Sequence, residues 1–174
     1  MNKAVFLDRD GTINENKSGY NYRLEDLEII PRVIEGLNRI QAEYKLIIVT
    51  NQSGIARGYY TKEDYFNFRN ELLKRLNEEG VFLSGDYHCP HSPEKNCNCR
   101  KPKTGMLEEA TKHFNLDLKK CWMIGDHLSD IQTGKNAGCK TIHILTRHVT
   151  NPLKEADFVA RDMIEAAGYI LNHS

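Results

Sequence analysis

Residues 3–14 read KAVFLDRDGTIN. The apolar run Ala4-Val5-Phe6-Leu7 has the length of a buried strand. It delivers two carboxylates, Asp8 and Asp10, straight to its carboxyl end, with Arg9 between them. A charge withdrawn from water is costly unless something pairs with it, so the arrangement asks for a cation. Gly11 lets the backbone turn sharply after the pair. Three further apolar runs, 46–50 (LIIVT), 121–125 (CWMIG) and 140–145 (KTIHIL), have the same strand-like character, and 157–159 (DFV) is a weaker one. Longer amphipathic stretches predict helices over 31–44, 61–79, 104–114, 129–137 and 161–172. Pro31 suits a first helical turn, and Thr61 with Asp64 resembles a capping arrangement.

Alternation of this kind implies an α/β protein: a three-layer α/β/α Rossmann-like sandwich around a parallel sheet, with residues 1–174 as a single domain. Ligands of such sheets collect at the carboxyl ends of the strands. The reactive residues fall there. The first strand ends in Asp8-Arg9-Asp10-Gly11-Thr12 and the second in Thr50-Asn51-Gln52-Ser53-Gly54. The third ends in Gly125-Asp126-His127, with Asp130 a helical turn further on. Residues 84–106 break the pattern. They are rich in Cys, His, Pro and Asn, lack a helical period, and are expected to form an ordered loop inserted before a helix.

Lys plus Arg number 24 and Asp plus Glu 24, so the formal net charge is zero. That balance argues against nucleic-acid or anionic-membrane binding through overall charge. No apolar run approaches the roughly 18 residues of a membrane span. The opening MNKAVFLDRD lacks the long apolar core of a secretory leader. Five cysteines, an odd number, make a disulfide framework unexpected and a reducing cytoplasm the better setting.

If the strands are neighbours, Asp8, Asp10 and Asp126 meet at one edge of the sheet. Oxygen donors so grouped suit Mg²⁺, which keeps waters and shares phosphate oxygens. One aspartate is then placed to attack phosphorus. The other, two residues on, can exchange a proton with the leaving oxygen. The competing reading makes Asp8 and Asp10 caps of a loop or helix. The Gly-Thr that follows and the polar ends of two further strands favour the metal site. Thr50, Asn51, Gln52 and Ser53 offer a hydroxyl and backbone amides to phosphate oxygens. Arg57 either reaches a substrate anion or is solvated. In CRKPKTG (99–105), Arg100, Lys101 and Lys103 form a basic triplet: either it is a solvated turn, or a lysine serves a transferring phosphoryl group as a point charge and the arginine grips a second phosphate bidentately.

The segment CPHSPEKNCNC places Cys89, His91, Cys97 and Cys99 within eleven residues. Three thiols and one imidazole match a closed tetrahedral zinc set with no open position, hence a structural Zn²⁺. Metal binding would supply folding free energy to a loop, residues 88–103, that lacks regular structure. Cys121 and Cys139 stand apart and read as core residues. His113, His143, His148 and His173 show no partner pattern and read as surface or core histidines.

Together, D-x-D-G-T (8–12), Thr50, Lys101 and G-D-x-x-x-D (125–130) resemble the haloacid dehalogenase superfamily of phosphohydrolases, in the family's order. More narrowly, DRDGTIN, TNQSGIARG (50–58), the knuckle with its following Arg-Lys-Pro, and Gly105-Met106 are similar to the heptose bisphosphate phosphatases. Histidinol-phosphate phosphatases share DRDGT and the knuckle. The chain departs from the pattern at Lys103-Thr104, where a proline beside Gly105 is expected. The resemblance implies hydrolysis of the 7-phosphate of D-glycero-D-manno-heptose 1,7-bisphosphate, supplying heptose for lipopolysaccharide or another glycan, with histidinol phosphate as the alternative substrate. It implies Asp8 as nucleophile, Asp10 as acid and base, and Mg²⁺ on Asp8, the carbonyl of Asp10 and Asp126. Thr50 and Lys101 would hold the transferring group. Arg100, the segment from Thr50 to Ser53 and the Gly19-Tyr20 region would contact the rest of the substrate. No large cap domain fits, the zinc loop would shape the pocket, and a monomer is expected.

Two rivals come from other classes. A phosphate-accepting receiver module would share the acids and the lysine, but the second acid of D-x-D and the zinc loop count against it. A zinc-knuckle nucleic-acid binder is disfavoured by the neutral charge and by a knuckle without interleaved aromatics.

Overall fold

A computed structural model describes residues 2–17 and 19–173. Six strands, β1 (Ala4–Leu7), β2 (Lys45–Asn51), β3 (Gly85–Cys89), β4 (Trp122–Gly125), β5 (Lys140–Ile144) and β6 (Phe158–Ala160), form one sheet in the order β3-β2-β1-β4-β5-β6. Every pairing is parallel. Five helices are α1 (Val33–Ile40), α2 (Lys62–Glu78), α3 (Gly105–Phe114), α4 (Leu128–Ala137) and α5 (Met163–Asn172).

Side chains alternate across a strand, and the two sets build two cores. Val5, Leu7, Ile48 and Ile124 pack with Leu37 of α1, Phe68 of α2 and Ile170 of α5. Ala4, Phe6, Val49 and Met123 pack on the other face with Leu107 and Ala110 of α3. The result is the expected three-layer sandwich. All four residues of β1 are buried, as a central parallel strand requires. Val5, Phe6 and Leu7 each contribute about 1.5–3 kcal/mol by leaving water.

Two expectations are corrected. Residues 84–106 were expected to be loop, yet Gly85–Cys89 is an edge strand paired with β2 from Ile47 to Asn51. Its residues are only half-buried apart from Cys89, so backbone pairing rather than an apolar run defines it. Helix α1 begins at Val33, not Pro31, because Arg32 takes a left-handed conformation (φ 68°). Thr61 and Asp64 do form a reciprocal cap on α2.

The stretch between β1 and α1 carries one short turn of 3-10 helix at Leu24–Asp26, and that between β3 and α3 one at Pro93–Lys95. Both are too short to build a separate cap domain. Among the described residues no helix is long and apolar enough to cross a membrane.

Candidate active site

Parallel pairing brings the carboxyl ends of β1, β2 and β4 together. The Asp8 amide donates to the Ile124 carbonyl of β4 at 3.0 Å, extending the pairing past β1. Oxygens of Asp8, Asp126 and Asp130 then lie within 4.8 Å of one another. Asp130 sits in the first turn of α4, where its carboxylate also accepts the His127 amide at 3.0 Å. Two glycines make the close approach possible. Gly11 has φ +88°, and a Cβ there would stand 2.3 Å from an Asp126 oxygen. A Cβ on Gly125 would stand 2.2 Å from an Asp130 oxygen.

Lys101 joins these acids to the zinc-type loop. Its ammonium donates to Asp8 Oδ1 at 2.7 Å, Asp130 Oδ1 at 2.6 Å and the Val49 carbonyl at 2.9 Å. Burial opposes that charge, but Asp130 and Asp8 outweigh it and raise the lysine further. The acids feel the opposite pull. Burial, with Asp130 and Asp126 adding to it against Lys101, pushes Asp8 up to about 8. Burial and then Asp130 push Asp126 up to about 7. Three carboxylates against one ammonium leave the crevice short of positive charge. Hard oxygen donors in that state fit Mg²⁺.

Asp10 is held apart from this cluster. Arg9 forks onto both its oxygens at 3.0 and 2.8 Å, and Asn14, Asn21 and Gln52 donate at 3.0, 3.1 and 2.9 Å. Burial opposes ionisation here too, yet Arg9 prevails and holds the Asp10 carboxyl below its ordinary range. Arg9 is itself 1% exposed, with its guanidinium 4.7 Å from the Phe68 ring centre.

Two residues expected at the substrate are engaged within the protein. Asn51 exchanges two hydrogen bonds with the Lys101 backbone, at 3.2 and 3.0 Å. Gln52 donates to Asp10 and to Thr50 Oγ1 (3.0 Å) and accepts from the Tyr60 hydroxyl at 2.6 Å. Arg57 and Arg100 both act on Glu94, whose carboxyl is held down first by Ser92, so they share one neighbourhood. Tyr20 meets Tyr59 edge-on at 4.9 Å, and Gly19 turns at φ +81° just before it. The Ser53 carbonyl accepts the Arg57 amide at 3.0 Å.

His143, expected to lack a partner, has two. Its Nε2 donates to the Asp126 carbonyl at 3.1 Å, and its Nδ1 accepts the Leu153 amide at 3.2 Å. Burial lowers its pKa, keeping it neutral in this tautomer. No sequence spacing links it to Asp126. The signal is tertiary, since β5 sets His143 beside Gly125.

Cys89, His91, Cys97 and Cys99 form the second cluster. Sulfur–sulfur separations are 3.6 Å (Cys89–Cys97) and 3.4 Å (Cys97–Cys99), and His91 Nδ1 is 3.3 Å from Cys99. A zinc tetrahedron with bonds of about 2.3 Å to sulfur has edges of about 3.8 Å, so the donors stand close to that spacing. Cys89 is the last residue of β3, opposite Asn51.

A HAD-hydrolase-like family model (Hydrolase_like) matches residues 98–166, a span holding Lys101, Asp126 and Asp130. A D-glycero-alpha-D-manno-heptose-1,7-bisphosphate 7-phosphatase of Campylobacter jejuni is 45% identical over 157 residues, covering 90% of this chain and 87% of that one. The chain belongs to the heptose bisphosphate phosphatase family. Another member, the D-glycero-beta-D-manno-heptose-1,7-bisphosphate 7-phosphatase of Haemophilus ducreyi, is 39% identical and covers 97% and 98%. The solved D,D-heptose 1,7-bisphosphate phosphatase of B. bronchiseptica, complexed with magnesium and phosphate, has a TM-score of 0.88 at 26% identity over all of both chains. The heptose bisphosphate phosphatases named here thus differ in anomer, and this chain resembles both kinds.

Proposed function

We propose that this phosphoric monoester hydrolase removes the 7-phosphate of D-glycero-D-manno-heptose 1,7-bisphosphate through an aspartyl phosphate on Asp8. One observation carries the chemistry. Asp8, at the end of the central strand, lies 2.7 Å from Lys101, and its oxygens stand within 4.8 Å of those of Asp126 and Asp130. The substrate rests on relatives that bear that name.

Asp8, Asp126 and the carbonyl of Asp10 would hold Mg²⁺, with Asp130 completing the acidic wall. When bound, Mg²⁺ supplies positive charge to the crevice and to the phosphoryl oxygens. Asp8 attacks phosphorus, and the bond from phosphorus to the C7 oxygen breaks. Asp10 gives that oxygen a proton. It then takes a proton from the water that attacks the aspartyl phosphate, which releases phosphate and restores Asp8. Arg9 holds Asp10 ionised at rest, as the water step needs. A phosphoryl dianion beside Asp10 favours the protonated form that the first step needs. Lys101 and Thr50 hold the transferring oxygens.

Asn51 and Gln52 act through others, fixing the Lys101 backbone and the Asp10 carboxylate. Arg57 and Arg100 take the remaining phosphate, and Gly19, Tyr20 and Ser53 border the sugar. Cys89, His91, Cys97 and Cys99 would hold Zn²⁺, which would fix the loop that carries Lys101. One chain supplies every group, so a monomer suffices. The three clustered thiols, joined by no disulfide, suit a reducing cytoplasm.

The test is phosphate release with Mg²⁺ from both heptose bisphosphate anomers and from histidinol phosphate. One heptose anomer should exceed histidinol phosphate in kcat/KM by about tenfold or more. The reverse preference rejects the substrate assignment.

A further inference from the structure

The parallel sheet has a second end, and lysines gather there. Lys3 precedes β1, Lys45 opens β2, Lys119 and Lys120 precede β4, and Lys140 opens β5. The register sets Ala4 beside Lys45, Val5 beside Trp122, and Trp122 beside Lys140. All five lysines therefore line one cavity of about 1050 Å³, at the opposite end of the sheet from Asp8. Among the described residues, the single ion pair made by these lysines is Lys3 with Glu43 at 2.8 Å, and Glu43 is the one acid in the lining. The hollow thus concentrates positive charge in a chain of zero net charge.

Like charges held together repel and cost stability. A helix carboxyl end favours a cation, which accounts for Lys140, whose ammonium donates to the His173 carbonyl after α5 at 2.9 Å. Lys45 stands 5.7 Å from the Phe114 ring centre, which leaves Lys119 and Lys120 unexplained. The walls are aromatic as well. Lys3 stands 4.2 Å over Tyr44, and Lys140 stands 4.9 Å over Trp122. Phe82, also in the lining, is 63% exposed.

We propose that this groove binds a nucleoside diphosphate or triphosphate. Lysines serve as point charges for phosphates, and an exposed aromatic offers a face on which a base stacks. A hollow suits such a molecule, whereas a flat anionic membrane would leave it unfilled.

Trp122 is the only tryptophan of the chain; it is buried, and Lys140 over its ring couples it to the groove. ADP titrated into the full chain without Mg²⁺ should change its fluorescence saturably, and added salt should weaken binding. The Lys119→Ala/Lys120→Ala double variant should bind about tenfold more weakly or worse, with phosphatase turnover unchanged. Phe82→Ala should weaken ADP but leave inorganic tripolyphosphate unaffected. Asp8→Asn should bind ADP as the native chain does, which separates the groove from the crevice and from the proposed phosphatase activity. The proposal fails if no saturation occurs near about 1 mM ADP, if the double variant binds equally well, or if Phe82→Ala has no effect. Tighter binding to phosphatidylserine vesicles than to ADP would also overturn it, in favour of a membrane surface.

Discussion

The two clusters of metal-ligating side chains are assembled in opposite ways. Cys89, His91, Cys97 and Cys99 lie close along the chain, and three of the four are partly exposed. Asp8 and Asp126 lie 118 positions apart along the chain and meet only because β1 pairs with β4. The sheet therefore makes the acidic crevice and keeps it in electrostatic conflict, since folding buries acids that prefer water. The knuckle has little of its own secondary structure beyond the end of β3. A metal would hold it, because a closed tetrahedral set links the four positions directly. Lys101 ties the two together: it follows Cys99 by two residues and ends among the acids.

This contrast can be broken most severely at Asp8. Asp8→Asn should lower kcat by ~10³-fold or more, since it removes the proposed attacking group. The melting temperature should hold or rise, because a buried carboxylate whose charge is disfavoured is gone. Residual turnover near the native level would put the nucleophile elsewhere. Lys101→Met comes next. It leaves Asp8 and Asp130 buried without their counter-charge, and breaking such a pair costs roughly 3–5 kcal/mol. Urea unfolding should register that loss in metal-free protein, and added Mg²⁺ should recover part of it.

Stripping zinc tests the other half of the comparison. Hydrogen exchange should speed up over residues 89–101 while the amides of β1 and β4 stay protected. Simultaneous loss of both would mean that the sheet, too, depends on the knuckle.

A subtler effect concerns pH. In the unfolded chain Asp8 and Asp126 titrate near the ordinary 3.8, whereas the folded crevice raises them to about 8 and about 7. Between those limits the folded state binds more protons, so stability falls as pH rises. Metal-free protein should melt lower at pH 8 than at pH 6. The rise in melting temperature on adding Mg²⁺ should be larger at pH 8, where fewer protons have to be displaced than at pH 6. The smallest change is Tyr60→Phe, which removes one hydrogen bond to Gln52. It should cost about 1 kcal/mol and slow turnover a few-fold without changing metal affinity.

Five of the six strands could be located from apolar runs, because burial on both faces demands them. β3 could not: an edge strand such as GDYHC is specified by its pairing with β2. The knuckle was legible because all its ligands are local. Asp8 and Asp126 stood out as acids at the ends of apolar runs. Asp130 was visible one turn beyond Asp126, but its approach to Asp8 and Lys101 was not. The four-residue clamp on Asp10, the Tyr60–Gln52 contact and the His143 bond to Asp126 also have no signature in spacing.

What the sequence by itself determined, then, is which segments must leave water and which polar residues stand at their ends, since hydrophobicity and local spacing are properties of neighbours along the chain. Only the tertiary structure decided which of those ends face each other. Strand order and register set the distances between charges, and those distances decide whether Asp8 meets Lys101 and Asp130 and whether five scattered lysines share one hollow.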